Sequence, residues 1–414
     1  MQLEKFSIGI GDRFGREGIA QMQAFLAAKA KGVAITPVWN KSNREHTIVG
    51  TEPSDVRREA DAATQAVGWT GAYRVDADHI GVKTVDRFIA ASDFFTLDVA
   101  DYINTSASET ELDAFVRSMT LHTGTLTIPG IKNSFTVSDD TVRTIARKYL
   151  AAAKEAGVIY RHILAQKGEG TFIVEVSMDE TDTSQTPLEL FFILGALAQE
   201  KIPVQTVAPK FVGEFHKGVD YIGDVRAFER EFEEDICVVA YAVKVFSLPS
   251  SLKLSVHSGS DKFSLYPIIR RVIAQYNTGI HLKTAGTTWL EELIGLAAAG
   301  GDGLEIAKDI YTQAYARLDE LCKPYATVVS IDRSKLPTPE VVNAWSSQEF
   351  VNALRHDQRC AAYNVNLRQM LHVAFRIAAE MGTRYTSALE RYQSVVGSNV
   401  AENILQRHIA ALFL

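Results

Sequence analysis

Three histidines in the sequence follow short apolar runs, where their side chains could act together. His79 comes directly after Asp78, His216 lies in the segment 214–218, and His257 follows another apolar run. Neutral imidazole is a good ligand for a divalent transition metal, and three such ligands leave coordination positions open for substrate oxygens. A lone histidine in a loop is most often an ordinary hydrogen-bonding residue, so the prediction depends on the set. We therefore predict a metal site formed by His79, His216 and His257.

Eight runs of apolar and β-branched residues alternate with helical patterns over the first 290 residues and must position these histidines. The predicted strands lie at residues 5–10, 33–38, 73–78, 94–97, 171–176, 204–207, 252–256 and 279–282. Alternating strands and helices are typical of a parallel sheet covered by helices. Eight such units predict a TIM-like (β/α)8 barrel, in which chemistry takes place where the strands end. Each of the three histidines follows a predicted strand.

Two stretches depart from the alternation of the barrel. The gap at about residues 100–168 is too long for one crossover, so we predict a helical insertion there. After residue 300 the strand patterns stop, and apolar residues keep helical spacing. The sequence therefore predicts a barrel catalytic domain at residues 1–300 and an α-helical extension at 301–414 that packs on it.

Composition excludes several classes of partner and location. The 414 residues carry a net charge of -7 with no long basic tract, so neither a nucleic-acid nor a membrane partner is expected. No apolar run is long enough to cross a bilayer, and the N-terminus lacks an export pattern. Three cysteines without paired spacing favour a reducing cytoplasm. The default interpretation is an enzyme that acts on a small molecule.

The predicted metal ligands resemble those of the class II, metal-dependent aldolases. In that family an Asp-His step follows the third strand, a second histidine follows the sixth, and a His-Gly-Gly-Ser turn follows the seventh. Here these places are held by Asp78 and His79, by residues 216–218, and by residues 257–260. The order along the chain and the predicted strands agree with the resemblance.

The turn after the seventh predicted strand departs from the aldolase pattern. Ser258 stands where the aldolases usually have glycine, and the charged residues Asp261 and Lys262 follow. In the aldolases this turn binds a phosphate group. The departure argues against a phosphorylated substrate.

A closer resemblance, to the tagaturonate epimerase family, covers nearly the whole chain. The segments that carry it are Gly-Asp-Arg-Phe-Gly at 11–15, Val-Asp-Ala-Asp-His-Ile-Gly at 75–81, Glu-Val-Ser-Met-Asp-Glu-Thr at 175–181, Lys-Thr-Ala-Gly-Thr at 283–287 and His-Val-Ala-Phe-Arg-Ile-Ala-Ala-Glu-Met-Gly at 372–382. The resemblance implies an isomerase of hexuronate metabolism that interconverts D-tagaturonate and D-fructuronate with a divalent metal. Zinc is the default ion for histidine ligands, and manganese, cobalt, nickel and iron stay open.

The implied reaction indicates which other side chains to expect. The two sugar acids differ at C4, which lies β to the C2 ketone, so simple deprotonation is slow. A retro-aldol cleavage of C3–C4 followed by re-addition inverts that carbon and requires two acid–base groups. Asp78 is the first candidate because it stands beside His79, and Glu175 is the second because it ends the fifth predicted strand. Asp179 is a close alternative, and Glu175 could instead be a fourth metal ligand.

The substrate carboxylate requires a fixed cation, and the planar fork of arginine suits it. We predict Arg13, in the glycine-flanked loop after the first strand, as this clamp. The alternative is that Arg13 pairs with a carboxylate to hold its own loop. The further predicted substrate-binding residues are Asp12, Asp179, Lys217, Lys262 and Lys283.

Two other functions stay open from sequence. The same site could belong to an aldolase that releases its products from a sugar acid or sugar phosphate. It could also belong to a non-catalytic barrel that binds a sugar acid around a structural metal. The sequence leaves the oligomeric state and the direction of the reaction open.

Overall fold

The computed structural model describes residues 1–179, 181, 183–283 and 287–414. Glu180 and residues 284–286, which belong to two of the family-like segments, lie outside the described residues. Ten strands are described: β1 Phe6–Ile10, β2 Thr36–Ser42, β3 Arg74–Ile80, β4 Phe94–Asp98, β5 Gly124–Leu126, β6 Phe135–Val137, β7 Ile173–Ser177, β8 Thr206–Ala208, β9 Lys253–Val256 and β10 Ile280–Lys283.

Eight of these strands close into one barrel. The order around it is β1-β2-β3-β4-β7-β8-β9-β10, every neighbouring pair is parallel, and β10 pairs with β1. The predicted (β/α)8 barrel is therefore confirmed. Each predicted strand overlaps an observed one.

The largest difference in strand bounds is at β2. The apolar pattern predicts a strand at 33–38, whereas β2 begins at Thr36 and continues to Ser42. Its pairing with β3 runs from Val38 to Ser42, so hydrogen bonding extends the strand beyond the apolar run. Asn40 and Lys41 in this extension are only 2% and 3% exposed. Polar residues are buried here because the strand leads into the functional end of the barrel.

Helices cover the barrel and build the C-terminal part of the chain. The α-helices are α1 Gly18–Ala30, α2 Asn43–Val49, α3 Pro53–Ala66, α4 Glu109–Ser118, α5 Asp139–Lys167, α6 Pro187–Gln199, α7 Val225–Val245, α8 Tyr266–Gln275, α9 Thr287–Ala299, α10 Gly301–Ala316, α11 Leu318–Cys322, α12 Pro339–Asn343, α13 Ser347–Leu354, α14 Val365–Val373, α15 Phe375–Met381, α16 Thr383–Arg391, α17 Gln393–Glu402 and α18 Ala410–Phe413. A π-helical turn spans Asn403–Ile409, and 3₁₀ turns lie at Val85–Arg87, Ala100–Tyr102, Thr120–His122, Lys323–Tyr325 and Arg333–Lys335. Within the described residues, no helix combines the length and apolarity that a membrane span requires.

The segment between β4 and β7 contains a small sheet besides its helices. The helix α4 comes first, the antiparallel pair β5 and β6 follows, and the 29-residue helix α5 returns to the barrel. The prediction of a purely helical insertion missed this hairpin. Each of its strands is three residues long, which is too short to give an alternating pattern.

The C-terminal helices share a core with the last helix of the barrel. Trp289 and Leu293 of α9 lie in the same apolar cluster as Phe350 and Leu371, separate from the main core of the barrel. The helix α17 packs against both α9 and α1. The extension is therefore built onto the barrel through α9, and a domain boundary at residue 300 stays a prediction.

Candidate functional site

The carboxyl ends of five barrel strands supply a dense group of polar side chains. Parallel strands end at the same mouth of a barrel, which brings residues from distant parts of the sequence together. The group consists of Asp76, Asp78 and His79 from β3, Thr96 and Asp98 from β4, Glu175 from β7, His257 directly after β9, and Lys283 at the end of β10.

Asp78 and His79 are neighbours in β3, yet both line the same cavity. In a regular strand, successive side chains point to opposite faces of the sheet. The pairing of β3 with β4 shifts between Ala77 and Ile80, and His79 has a φ of 51°. Such a bulge re-aims a side chain and is common beside functional sites. His79 Nε2 consequently lies 3.9 Å from Asp78 Oδ1.

Among the described residues, one group of side chains has the spacing of metal ligands. His79, Asp179 and His257 each offer a ligand atom, and the three atoms lie within 4.8 Å of one another. The two imidazole rings are 5.0 Å apart between centroids. Two imidazoles and one carboxylate are a donor set that divalent transition metals accept.

Each histidine of the group is oriented by a further carboxylate. His79 Nδ1 lies 3.1 Å from Asp98 Oδ2, and His257 Nε2 lies 2.7 Å from Glu175 Oε1. On its other side, His257 Nδ1 lies 3.2 Å from Asp179 Oδ1. Metal-binding histidines usually give their second ring nitrogen to a carboxylate in this way. The arrangement is therefore compatible with a metal centre.

The electrostatics of the group favour added positive charge. Burial lowers the pKa of His79, but Asp78 and Asp98 outweigh it and raise that pKa to about 10. Burial raises the pKa of Asp179, but His257 and His79 lower it below its usual range. Carboxylates that hold protons on two imidazoles can equally hold a divalent cation in their place.

Lys283 lies at the centre of a second cluster, directly beneath the metal-ligand group. Its Nζ is 3.0 Å from Asp76 Oδ2, 2.8 Å from Asp78 Oδ1 and 3.0 Å from Glu175 Oε1. It also donates a hydrogen bond to Thr96 Oγ1 at 2.6 Å. All of these side chains are at least nine-tenths buried.

Burial and Lys283 act in opposite directions on the carboxyl groups of this cluster. Burial prevails at Asp76 and raises its pKa to about 7. Burial also acts on Asp78, but Lys283 and His79 overcome it and lower the Asp78 pKa to about 2. Asp78 is therefore ionised at neutral pH and lines the cavity as a carboxylate.

A cavity of 550 Å³ joins this end of the barrel to the C-terminal helices. Asp78, His79 and Asp98 line one side of it. Tyr325, His372 and Arg376 of the extension line another side. A smaller cavity of 40 Å³ is lined by Asp179 and His257, so the metal-ligand group lies between the two.

The cations that line the larger cavity differ in their partners. Arg13 is engaged: its Nε lies 2.8 Å from Glu45 Oε1, and its guanidinium packs over the Phe375 ring. Lys217 and Arg44 have no carboxylate partner among the described residues. The alternative function foreseen for Arg13, pairing with a carboxylate, is the one observed. Arg44 was missed by sequence reasoning, although its position just after β2 was a usable signal.

Two predicted substrate-binding residues make hydrogen bonds that hold the main chain. The Asp12 carboxylate accepts main-chain hydrogen bonds from residues 14–17 and so holds the loop before α1. Lys262 is fully buried, and its Nζ donates to the main-chain oxygens of His216, Val219 and Ser260. Neither residue lines the two cavities described above, and a part in substrate binding stays a prediction for both.

His216 is not part of the metal-ligand group. Its Nε2 lies 3.6 Å from Glu214 Oε2, and the described structure gives its Nδ1 no hydrogen-bond partner. It stands eight positions after the end of β8, too far along the loop for the strand to set its direction. Asp179, only two residues after β7, is the third member of the metal-ligand group, and metal binding by His216 stays a prediction.

Comparisons with known proteins agree over the whole chain. A family model described as tagaturonate epimerase matches residues 1–410. The tagaturonate/fructuronate epimerase of Thermotoga maritima is 29% identical over 425 aligned positions, which cover 98% of this chain and 80% of that protein. Two crystal structures of the fructuronate-tagaturonate epimerase UxaE from Cohnella laeviribosi, one complexed with glycerol and one native, give TM-scores of 0.81 and 0.78. At 24% identity they cover 100% of this chain and 82% of theirs, and they show the same fold.

Proposed function

The chain belongs to the tagaturonate epimerase family and is an isomerase, and we propose that it interconverts D-tagaturonate and D-fructuronate by inversion at C4. The observation that carries the proposal is the joint presence of the family match over residues 1–410 and the metal-ligand group at the barrel mouth. Sugar-acid epimerisation requires a site that binds an anion and stabilises developing negative charge. The cations around the larger cavity and the metal-ligand group beside it support both properties.

We propose His79, Asp179 and His257 as the residues that hold a divalent metal. The orientation of both rings by Asp98 and Glu175 supports this assignment. A divalent ion bound there would supply Lewis-acid stabilisation of negative charge on substrate oxygens. Zinc is the first candidate, because a site of histidine and carboxylate ligands suits it.

The proposed reaction breaks and re-forms the C3–C4 bond of the substrate. The C4 hydroxyl loses its proton, the bond electrons pass to the fragment that carries the ketone, and C4 becomes an aldehyde. The aldehyde fragment turns, the carbon–carbon bond forms on its other face, and the oxygen at C4 regains a proton. Nothing is oxidised or lost, so the balance is that of an isomerisation.

We propose Asp78 as one of the two groups that exchange a proton with the C4 hydroxyl. It is ionised at neutral pH and lines the larger cavity beside His79. Glu175 is 0% exposed and lies 2.7 Å from His257 Nε2. We therefore assign Glu175 to orienting His257, in place of the acid–base role predicted from sequence.

Lys217 and Arg44 are proposed to bind the substrate carboxylate. In the larger cavity, Arg13 is neutralised by Glu45, and Asp78 is neutralised by Lys283. The two cations without a carboxylate partner leave an excess of positive charge that suits an anionic substrate. This distribution favours a sugar acid over a neutral ketose.

Incubation with D-tagaturonate and analysis by NMR test the proposed function. Accumulation of D-fructuronate is the expected result. An aldolase with the same site is the second candidate, since it would cleave the same bond, and it predicts free three-carbon products instead. Release of those products without D-fructuronate would rule out the epimerase.

The remaining alternative is a non-catalytic barrel that binds a sugar acid. It predicts that Asp78→Asn leaves ligand binding and all other properties unchanged. The epimerase predicts that the same substitution abolishes turnover in a protein that stays folded. Comparing turnover with the circular dichroism spectrum of that variant separates the two functions.

We also propose that the protein acts in a reducing compartment, the cytoplasm, without nucleic-acid partners. Cys237, Cys322 and Cys360 are all free. The acidic balance of 50 Asp and Glu against 43 Lys and Arg supports the second part. Fractionation of the native host cells tests the location.

A further inference from the structure

A buried charged cluster lies behind the turn that carries His257. We define the Asp261 cluster as Asp261, Arg368, His356 and His408, each no more than 2% exposed. Arg368 of α14 forms an ion pair with the Asp261 carboxylate, and His356 Nδ1 lies 3.2 Å from Asp261 Oδ2. A buried ion pair is weak evidence for stability, because apolar residues would avoid its cost of desolvation. The cluster therefore calls for another role.

The backbone of the turn after His257 adopts an unfavourable conformation that contacts from other parts of the chain must stabilise. Ser258 and Asp261 have φ values of 49° and 63°, which residues other than glycine seldom adopt. Such backbone persists only where the surrounding structure imposes it. His408 Nε2 accepts the main-chain N–H of Asp261 at 3.3 Å, and His408 Nδ1 lies 3.0 Å from the Asn403 oxygen. The π-helical turn thus holds the backbone four residues after His257.

The same cluster holds a second loop of the site. Arg368 Nε donates to the Gly218 oxygen, directly after Lys217, and Arg368 Nη1 donates to the Leu354 oxygen at 2.9 Å. Lys262, the neighbour of Asp261, donates to the His216 oxygen at 2.8 Å. One set of buried hydrogen bonds therefore joins the turn of His257 and the loop of Lys217 to the C-terminal helices.

We propose that the Asp261 cluster is a positioning device through which the C-terminal helices hold His257 for metal binding and Lys217 for the substrate. The Lys217 part rests on the proposed function, whereas the His257 part concerns metal binding alone. Asp261, Arg368 and His408 are positioning residues, since none of them lines the cavities described above. Partners that orient metal ligands typically change metal affinity about 10- to 100-fold when removed.

Two substitutions test the device at different severity. Asp261→Asn removes the buried charge but keeps the shape, and His408→Phe removes the acceptor of the Asp261 N–H together with the contact to the Asn403 oxygen. Chelator-treated protein is titrated with Co²⁺, whose visible absorption reports ligand geometry. Both variants are expected to bind Co²⁺ about 10-fold more weakly or worse, with an altered spectrum. Their kcat/KM for D-tagaturonate is expected to fall by up to about 100-fold, through both kcat and KM for Asp261→Asn and mainly through kcat for His408→Phe.

The control is Tyr385→Phe in α16 of the extension. It removes a buried hydrogen bond to Glu292 of α9 and leaves the His257 turn and the Lys217 loop unchanged. It is expected to keep wild-type cobalt affinity, spectrum and kcat/KM. Folded Asp261→Asn and His408→Phe proteins with wild-type cobalt binding would overturn the proposal. If the wild-type protein does not act on D-tagaturonate, the proposed function fails, but the cobalt titration still decides the positioning role.

If neither variant folds, amide hydrogen exchange of the wild-type protein tests whether the cluster holds the turn after His257. The amides of residues 257–262 are expected to exchange as slowly as those of α14, because the cluster joins them. Exchange of that turn at the rate of an exposed loop, with α14 protected, would overturn the proposal. Slow exchange in both segments supports it.

Discussion

Lys283→Met should remove the cation that three buried carboxylates share. The Lys283 ammonium lies within 3.0 Å of Asp76, Asp78 and Glu175, and it is 3% exposed. Methionine has a similar length and fills the space without charge. The substitution thus tests the electrostatics of the site with little change in packing.

The magnitude follows from the distances in the cluster. At an effective dielectric constant of about 20, unit charges 3.0 Å apart attract by about 5 kcal/mol per pair. Desolvation of Lys283 and repulsion among the carboxylates offset much of this attraction. Removing one partner of a buried ion pair typically costs about 3–5 kcal/mol. We expect a loss of that size in the free energy of unfolding at pH 7 to 8.

The loss in the free energy of unfolding caused by Lys283→Met should become smaller as the pH falls. In the wild-type protein, Lys283 lowers the pKa of Asp78 and Glu175 against the effect of burial. The ionised carboxylates therefore contribute to stability above about pH 4. In the variant, mainly His79 and His257 oppose the effect of burial on these two carboxyl groups, and we expect burial to raise both pKa values above those of the unfolded chain. The folded variant then binds protons more tightly than the unfolded one, so its stability rises from pH 8 towards pH 5.

Urea unfolding followed by circular dichroism, in the presence of a chelator, measures this difference at pH 5, 6, 7 and 8. The control is Lys308→Met, since Lys308 is 7% exposed and donates to the Asn343 oxygen, and no carboxylate in the described part of the chain lies within ion-pair distance of it. It should cost about 1 kcal/mol at every pH. A cost for Lys283→Met that equals the control, or that does not change with pH, would refute the reasoning.

Three further predictions concern the cavity and the cluster beneath it. Lys217→Met and Arg44→Gln should each raise KM for D-tagaturonate about 10-fold or more and leave kcat nearly unchanged, because a charge-assisted hydrogen bond contributes about 1.5–3 kcal/mol. Steady-state kinetics measure both constants, and a fall in kcat without a rise in KM would contradict this prediction. Asp78→Asn should lower kcat by about 10²- to 10⁴-fold, as measured by NMR, and a variant with wild-type kcat would exclude Asp78 from proton exchange. Burial raises the Asp76 pKa to about 7, so the free energy of unfolding of the wild-type protein should fall as the pH rises from about 4 to 7. Asp76→Asn should remove this fall. Identical pH profiles of unfolding for wild type and Asp76→Asn would show that Asp76 does not titrate there.

The barrel could be predicted because each strand is a short apolar run and helices separate most of them. The small hairpin β5–β6 could not be predicted, since strands of three residues give no period. The bounds of β2 were shifted because Asn40 and Lys41 are polar residues buried in a strand, and apolar patterns do not detect them.

The site was predicted in part, for a physical reason. Asp78, His79 and His257 stand directly at strand ends, where barrel geometry alone sets their place. His216 and Lys262 stand in longer loops, whose direction depends on contacts with the C-terminal helices. Sequence spacing carries no information on those contacts.

The contacts of Asp12 and Arg13 also depend on the folded structure and could not be predicted from sequence spacing. Asp12 was predicted to bind substrate, but its carboxylate accepts four main-chain N–H groups of its own loop. Glu45, the partner of Arg13, lies 32 positions along the chain in a different βα unit. The family-like segment at 11–15 marks this loop without revealing either of these contacts.

The metal content of purified variants tests the central claim most directly. Elemental analysis of the wild-type protein and of His216→Ala should find one divalent transition-metal ion per chain, whereas Asp179→Ala and the double variant His79→Ala/His257→Ala should contain none. Metal retained by Asp179→Ala, or lost from His216→Ala, would contradict the assignment of His79, Asp179 and His257 as the metal ligands.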